Sequence, residues 1–259
     1  MTGIHKRHWP GDRDRPALAL HCMMGNAAYW GPIAKRLDGR VDLTGFDMPG
    51  HGHSGPWLMN HPDGPDFHTA VTRIAASFID RPLDLIGHSL GATVALRIAV
   101  AAPDAIRSLT LIEPVLFAAA RNAEQAARDT AMAADLSQGR ADRAARRFID
   151  IWGAQPFDSL SPAMQQIMTD QIGLVASTDE TLTHDRAGIL RDGGLESLDA
   201  PVMIIAGERS PAVIHDIADA LAARLADVGR AVVPDAGHML PLTHPDQTAG
   251  LIALNLERA

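Results

Sequence analysis

Leu83-Asp84-Leu85-Ile86-Gly87-His88-Ser89-Leu90-Gly91-Ala92-Thr93-Val94-Ala95-Leu96-Arg97-Ile98-Ala99 is the stretch that decides the fold. It reads as a short apolar strand, a Gly-x-Ser-x-Gly turn and an alanine-rich helix, the order of a nucleophile elbow. A serine on so sharp a turn projects its oxygen above the sheet edge, and only small neighbours leave room for it. The helix that follows points its N-terminal N–H groups at the place where negative charge would develop. The pentapeptide alone is short enough to occur by chance, so the surrounding chain must decide.

Outward from the elbow, strands and helices alternate. Apolar runs bounded by Gly, Pro or Asp predict strands at Ala17 to His21, Val41 to Phe46, Leu83 to Gly87, Ser108 to Ile112, Val202 to Gly207 and Ala231 to Val233. Helical periodicity predicts helices at Tyr29 to Leu37, His68 to Ile79, Ala92 to Ala101 and Val213 to Ala226, with a terminal helix starting near His244. This alternation implies an α/β fold with a mostly parallel, doubly wound sheet covered on both faces. Pro114 to about Leu195 breaks the pattern: it has no convincing strand and reads as several helices. The expected organisation is a core of residues 1–114 and 196–259 with a helical cap inserted at 115–195; helices packed on the flank are the alternative.

The bulk composition narrows the function. The 259 residues are 46% hydrophobic, enough for one large domain, and the net charge of −8 with no strongly basic stretch argues against nucleic acid as a partner. Cys22 is the single cysteine, so neither an intrachain disulfide nor a cysteine-based metal site is possible. The polar start, Met1 to Pro10, has no signal-peptide core, and no run approaches the ~20 apolar residues of a membrane span. A soluble, cytoplasmic protein acting on a small molecule is expected; the oligomeric state is not legible.

A serine hydroxyl needs a base to take its proton, and the base, usually histidine, needs a carboxylate to hold its tautomer. His238, in Asp235-Ala236-Gly237-His238-Met239, lies just past the last predicted strand, in the kind of loop where ligands bind in open α/β sheets. A histidine that merely caps the last helix is the competing reading.

Four segments in order resemble the α/β-hydrolase-fold superfamily, in particular its capped, esterase-like serine hydrolases. Ala19-Leu20-His21-Cys22-Met23-Met24 with Trp30 resembles the H-G-x-P oxyanion segment and its downstream tryptophan. Phe46-Asp47-Met48-Pro49-Gly50-His51-Gly52-His53-Ser54 resembles the D-x-P-G-x-G-x-S loop. Ile86 to Gly91 matches the elbow, and Gly237-His238 the histidine loop. The resemblance implies Ser89 as nucleophile, His238 as base and the backbone N–H groups of Met23 and Leu90 as the oxyanion hole. Two positions depart from the pattern. Cys22 stands where glycine is usual and reads as a small buried apolar residue. The acid is the second: the family commonly has G-x-x-D-P after the strand at Val202, and Gly207-Glu208-Arg209-Ser210-Pro211 puts Ser210 at that position. Glu113, ending the strand Leu109 to Ile112, is the expected replacement, because some members of the fold take the acid from there. Glu208 is the second choice, with Arg209 as a competing partner.

Around this centre, Trp30, Trp57, Phe117, Trp152 and Met239 are the expected substrate-binding residues, with Phe148, Phe157, Met164 and Met168 as further apolar lid candidates. Asp47 is expected to fix the His51-Gly52 loop through backbone N–H groups, and His88 to be structural. His21, His51, His53 and His88 lack metal-ligand spacing, and no G-x-G-x-x-G follows a strand, so neither metal nor cofactor is expected. Arg121, Arg128, Arg140, Arg143, Arg146 and Arg147, interleaved with acids, read as a solvated helix face. The resemblance implies cleavage of a small or medium carboxylic ester or lactone through an acyl-enzyme. Carbon–carbon bond hydrolysis, aminopeptidase activity and cofactor-free perhydrolysis on the same triad are alternatives. From a different class, a non-catalytic ligand-binding member of the fold is supported only by Ser210.

Overall fold

The computed structural model describes residues 3–57, 64–120 and 122–259; Arg121 lies outside them. Its centre is a seven-stranded sheet: β1 (Lys6–Trp9), β2 (Pro16–Leu20), β3 (Asp42–Phe46), β4 (Leu83–His88), β5 (Ile106–Ile112), β6 (Val202–Gly207) and β7 (Val228–Val233). The spatial order is β1-β3-β2-β4-β5-β6-β7, and every pair is parallel except β1 with β3. From the β2–β4 pair the chain builds outward in both directions. That junction is the switch point where a crevice opens at the carboxyl ends of the strands, and Gly87-His88-Ser89 follows it directly.

Each strand alternates between two cores. Leu18 and Leu20 of β2 enter one cluster while Ala17 and Ala19 enter the other, as the two-residue period of a strand requires. The first core packs α2 (Phe67–Ala76), α3 (Leu90–Ala101) and α8 (Ala212–Ala222) on one face; the second packs α1 (Gly31–Leu37) and α10 (Pro245–Leu256), with the short α9 (Leu240–Thr243), on the other. Between β5 and β6 no strand occurs among the described residues. Four helices fill the interval: α4 (Ala123–Ser137), α5 (Ala141–Trp152), α6 (Pro162–Ala176) and α7 (Asp179–His184). α4, α5 and α6 share a small core around Ala144, Ile149, Phe157, Met168 and Ile172, while Leu182 of α7 joins the first core.

β1 is missing from the reading of the sequence. Its residues Lys-Arg-His-Trp are largely exposed because it is an edge strand, so no apolar alternation marks it. β7 begins three residues earlier than expected for a similar reason: its first residues, Val228-Gly229-Arg230, lie at the opposite edge and are only partly buried.

The elbow fixes how closely α3 crosses the strand ends. A Cβ on Gly91 would lie 2.3 Å from the Leu20 carbonyl oxygen and 2.6 Å from that of His21, and one on Gly87 would lie 2.3 Å from the Gly91 oxygen. Gly237, beside the histidine, has nothing within 4 Å of the same position. Gly91→Ala should therefore cost about 3 kcal/mol of stability, as overpacking against rigid backbone does. Gly237→Ala should stay within ~0.5 kcal/mol of the parent. Urea unfolding midpoints of the two variants measure the contrast.

Candidate active site

Ser89 sits between β4 and α3 with φ 56° and ψ −117°, a backbone region that costs on the order of 1–3 kcal/mol for a residue with a side chain. Neighbouring backbone holds it there. Its N–H donates to the Ile112 carbonyl at 2.9 Å, and its carbonyl accepts from Ala92 and Thr93 at 3.0 and 3.2 Å. The parallel β5 thus anchors the elbow directly.

Glu113 follows the end of β5, also at positive φ (52°), its N–H bonded to the Ile205 carbonyl at 2.8 Å. That backbone turn sends a fully buried side chain across the strand ends toward the histidine loop. Glu113 Oε2 lies 2.8 Å from His238 Nδ1, while Oε1 accepts from the Gly207 N–H at 2.6 Å and the Ser210 hydroxyl at 2.8 Å. A carboxylate taken out of water is costly unless its oxygens are satisfied, and here three donors satisfy it. Ser210, in the place where an acid is usual, donates to the carboxylate. With Nδ1–H held on Glu113, His238 presents Nε2 as its acceptor nitrogen. Glu208 is elsewhere: its Oε2 accepts from the Asp235 N–H at 2.9 Å, and Arg209 pairs with Asp235 instead.

A second buried chain of hydrogen bonds joins three loops. The Cys22 N–H donates to the Tyr29 oxygen (3.0 Å), Tyr29 O–H lies 3.0 Å from His88 Nδ1, and His88 Nε2 lies 2.9 Å from the His238 carbonyl. The carbonyl can only accept, so Nε2 carries the His88 proton and Nδ1 accepts from Tyr29. Burial, with His238 nearby, pushes the His88 pKa well down and keeps the ring neutral. Sequence reasoning gave His88 a structural role but missed Tyr29, whose one available signal is that it is the only tyrosine in the chain. His21 and His51 are wired in the same way: His21 Nε2 accepts from the Met48 N–H at 2.8 Å and His51 Nε2 from the Met24 N–H at 3.0 Å. Asp47 bonds the N–H groups of Ala27 and His53, tying its loop to the segment before α1.

Ser89, His238, Met23 and Leu90 line one cavity of about 300 Å³. Among the described residues neither the Met23 nor the Leu90 N–H has an acceptor, whereas Cys22 donates to Tyr29, Met24 to His51 and Gly25 to the Cys22 carbonyl. Phe117 and Trp152 line the same cavity, and the Trp152 ring stands edge-on to His238 at 4.7 Å. Phe148 joins them, while Phe157 and Met168 belong to the helices' own core and Met164 is exposed.

Three expected substrate contacts lie away from this cavity. Trp30 is fully buried in the α1–α10 core. Met239 packs against that same core. Trp57 sets its edge against Phe67 of α2, 5.3 Å between ring centres. None of the three lines the cavity. Conversely, Arg128 and Arg147, expected on a solvated face, reach its wall, where they pair with Glu124 and with the buried Asp135. The one group of side chains that converges to metal-ligand distance among the described residues, His5, Asp47 and His53, is separate from the cavity, and its Asp47 oxygens already serve backbone N–H groups.

The α/β hydrolase fold family model matches residues 18–245. The chain belongs to the α/β hydrolase fold family. Among its relatives, the pimeloyl-[acyl-carrier protein] methyl ester esterase of Methylococcus capsulatus is 29% identical, over 93% of this chain and 94% of that protein. Lipase LipV of Mycobacterium tuberculosis is 24% identical over 99% and 98%. Of solved structures, the α/β hydrolase MGS-M2 from a deep-sea metagenome superposes with a TM-score of 0.77 at 14% identity, covering 100% of this chain and 95% of that one. Carboxylesterase CesB of Bacillus subtilis gives 0.72 at 17%, covering 100% and 89%. No helix among the described residues is long and apolar enough to cross a membrane.

Two chemical properties of these residues can be measured. Burial pushes the Cys22 thiol up to about 12, so the native protein should leave Cys22 unmodified by a disulfide reagent at pH 8, and one thiol should appear on unfolding in urea. Asp129, also on the cavity wall, is pushed from 3.8 up to about 6, first by burial and then by the charge of Asp179. Its folded form therefore holds a proton that the unfolded chain has lost between those two values, and stability falls as pH rises through that window. Asp129→Asn should melt higher than the parent at pH 7, with the gap closing below pH ~4.

Proposed function

We propose that this hydrolase cleaves a carboxylic ester or lactone of small to medium size by way of an acyl-enzyme, with Ser89, His238 and Glu113 as its triad. The reading is carried by the 2.8 Å contact between His238 Nδ1 and the buried Glu113, with His238 and Ser89 on one cavity wall. His238 Nε2 removes the proton as Ser89 Oγ attacks the carbonyl carbon. The Met23 and Leu90 N–H groups stabilise the resulting oxyanion, each worth about 2.7–4 kcal/mol in comparable sites. The imidazolium, held by Glu113, then gives its proton to the departing alkoxide. Water enters, loses a proton to His238, and attacks the acyl-enzyme; collapse releases the acid and regenerates Ser89. The helical segment 115–195 is read as the cap, with Phe117 and Trp152 forming the apolar wall beside the reacting carbonyl. The names of the two esterase and lipase relatives agree with ester chemistry.

An organophosphonate carrying an alkyl group should label the protein once, at Ser89, and Ser89→Ala should not react; a folded protein that takes up no label would remove the enzymatic reading. On p-nitrophenyl esters, Glu113→Gln should lower kcat by roughly 10³–10⁴ with the melting temperature little changed, the scale seen when a triad acid becomes an amide elsewhere. Ser210→Ala should lose roughly tenfold, since it removes one hydrogen bond to a charged group.

A further inference from the structure

One part of the cavity wall serves neither the triad nor the apolar lining. It comes from α4 and the start of α7: Gln125, Asp129, Thr178 and Asp179. Gln125 is only 6% exposed, and its Oε1 has no hydrogen-bond partner. Its Nε2 donates to Asp129 Oδ1 at 2.8 Å, one helical turn on, which fixes Oε1 as the unused acceptor. Asp129 and Asp179 are close enough for the charge of one to disfavour ionisation of the other. Among the described residues neither is in an ion pair, whereas both arginines of the cavity wall already hold carboxylates, Arg128 with Glu124 and Arg147 with Asp135. The Thr183 hydroxyl donates to Asp179 at 3.1 Å and leaves the charge of that carboxylate in place.

Each of these features is unfavourable for the protein alone. A buried amide oxygen without a donor and two neighbouring carboxylates outside any ion pair, with only the charge of Arg128 acting on Asp129, call for the same partner, a positively charged hydrogen-bond donor. A primary ammonium supplies three N–H donors and one positive charge from a flexible chain. We infer that Gln125, Asp129 and Asp179 form a subsite for a protonated primary amine on the substrate, so that the preferred esters are amino esters whose ammonium lies at the α4–α7 end of the cavity and whose carbonyl lies at Ser89. The inference rests on the hydrolase reading above and adds the substrate class to it.

The test compares methyl esters of matched chain length, ending in an ammonium, a methyl or a carboxylate group: ω-aminohexanoate, heptanoate and pimelate monoester, with shorter and longer homologues, at low ionic strength. The ammonium series should show kcat/KM about tenfold above the methyl series, equivalent to ~1.4 kcal/mol. That ratio should fall to about one in Asp179→Asn and drop clearly in Gln125→Met, which keeps the side-chain shape and removes the orphaned oxygen. Equal rates for all three endings overturn the inference, and so does a preference for the carboxylate ending, which would assign the wall to Arg128 and Arg147. If no ester is cleaved, the hydrolase reading fails and the subsite is still tested: Ser89→Ala protein titrated with hexylammonium in a calorimeter should bind it, more weakly as salt is added and not at all with Asp179→Asn. Absence of binding heat overturns the subsite. Melting curves confirm that each variant is folded.

Discussion

Everything in the site depends on a steric constraint: the first turn of α3 passes so close to the ends of β2 and β4 that only glycine fits at 87 and 91. That contact forces Ser89 into a left-handed backbone and lifts its side chain over the sheet edge. It also aims the α3 N-terminus at the cavity. The strain is local and the means of holding it are not, because the Ser89 N–H is bonded to β5, and β5 ends in Glu113. The residue that anchors the elbow, Ile112, is thus the immediate neighbour of the one whose carboxylate meets His238.

A buried carboxylate at Glu113 needs a receiving environment, and three donors provide one. The Gly207 N–H and the Ser210 hydroxyl come from the turn after β6, and His238 Nδ1 from its own loop. Positive φ at Glu113 turns the side chain toward all three. The Cys22–Tyr29–His88–His238 chain is a second connection to the histidine loop. It ties the segment carrying the Met23 N–H to the elbow and to the histidine loop through neutral, buried groups. A neutral His88 suits that task, since a charged ring there would be buried without a counter-charge.

The cavity is chemically uneven. Aromatic rings from the helical segment crowd the His238 side, while two carboxylates and an unsatisfied amide oxygen occupy part of the α4–α7 wall. The two arginines nearby are already paired with carboxylates of their own. Position within one cavity, more than composition, gives these groups their meaning.

Much of this was legible in the sequence. Alternating apolar runs and helical periods determined the α/β architecture. Four short motifs in order singled out Ser89, His238 and the oxyanion segment, because a serine elbow, a strand-end histidine and a tight loop each demand particular residues at fixed spacing. The resemblance, with Ser210 where the family usually has its acid, made Glu113 the first expectation and Glu208 the second. The polar edge strand β1 left no pattern, since an edge needs no apolar alternation. Trp30, Trp57 and Met239 looked like pocket residues by their nearness to motifs, and only the packing of the two sheet faces decided that they belong to the core or to the α2 flank. Tyr29, the Ser210 hydroxyl and the Gln125–Asp129–Asp179 wall likewise emerge only in three dimensions: their partners lie between 4 and 97 residues away along the chain, and hydrogen bonding and charge repulsion depend on distance in space, which sequence spacing does not encode.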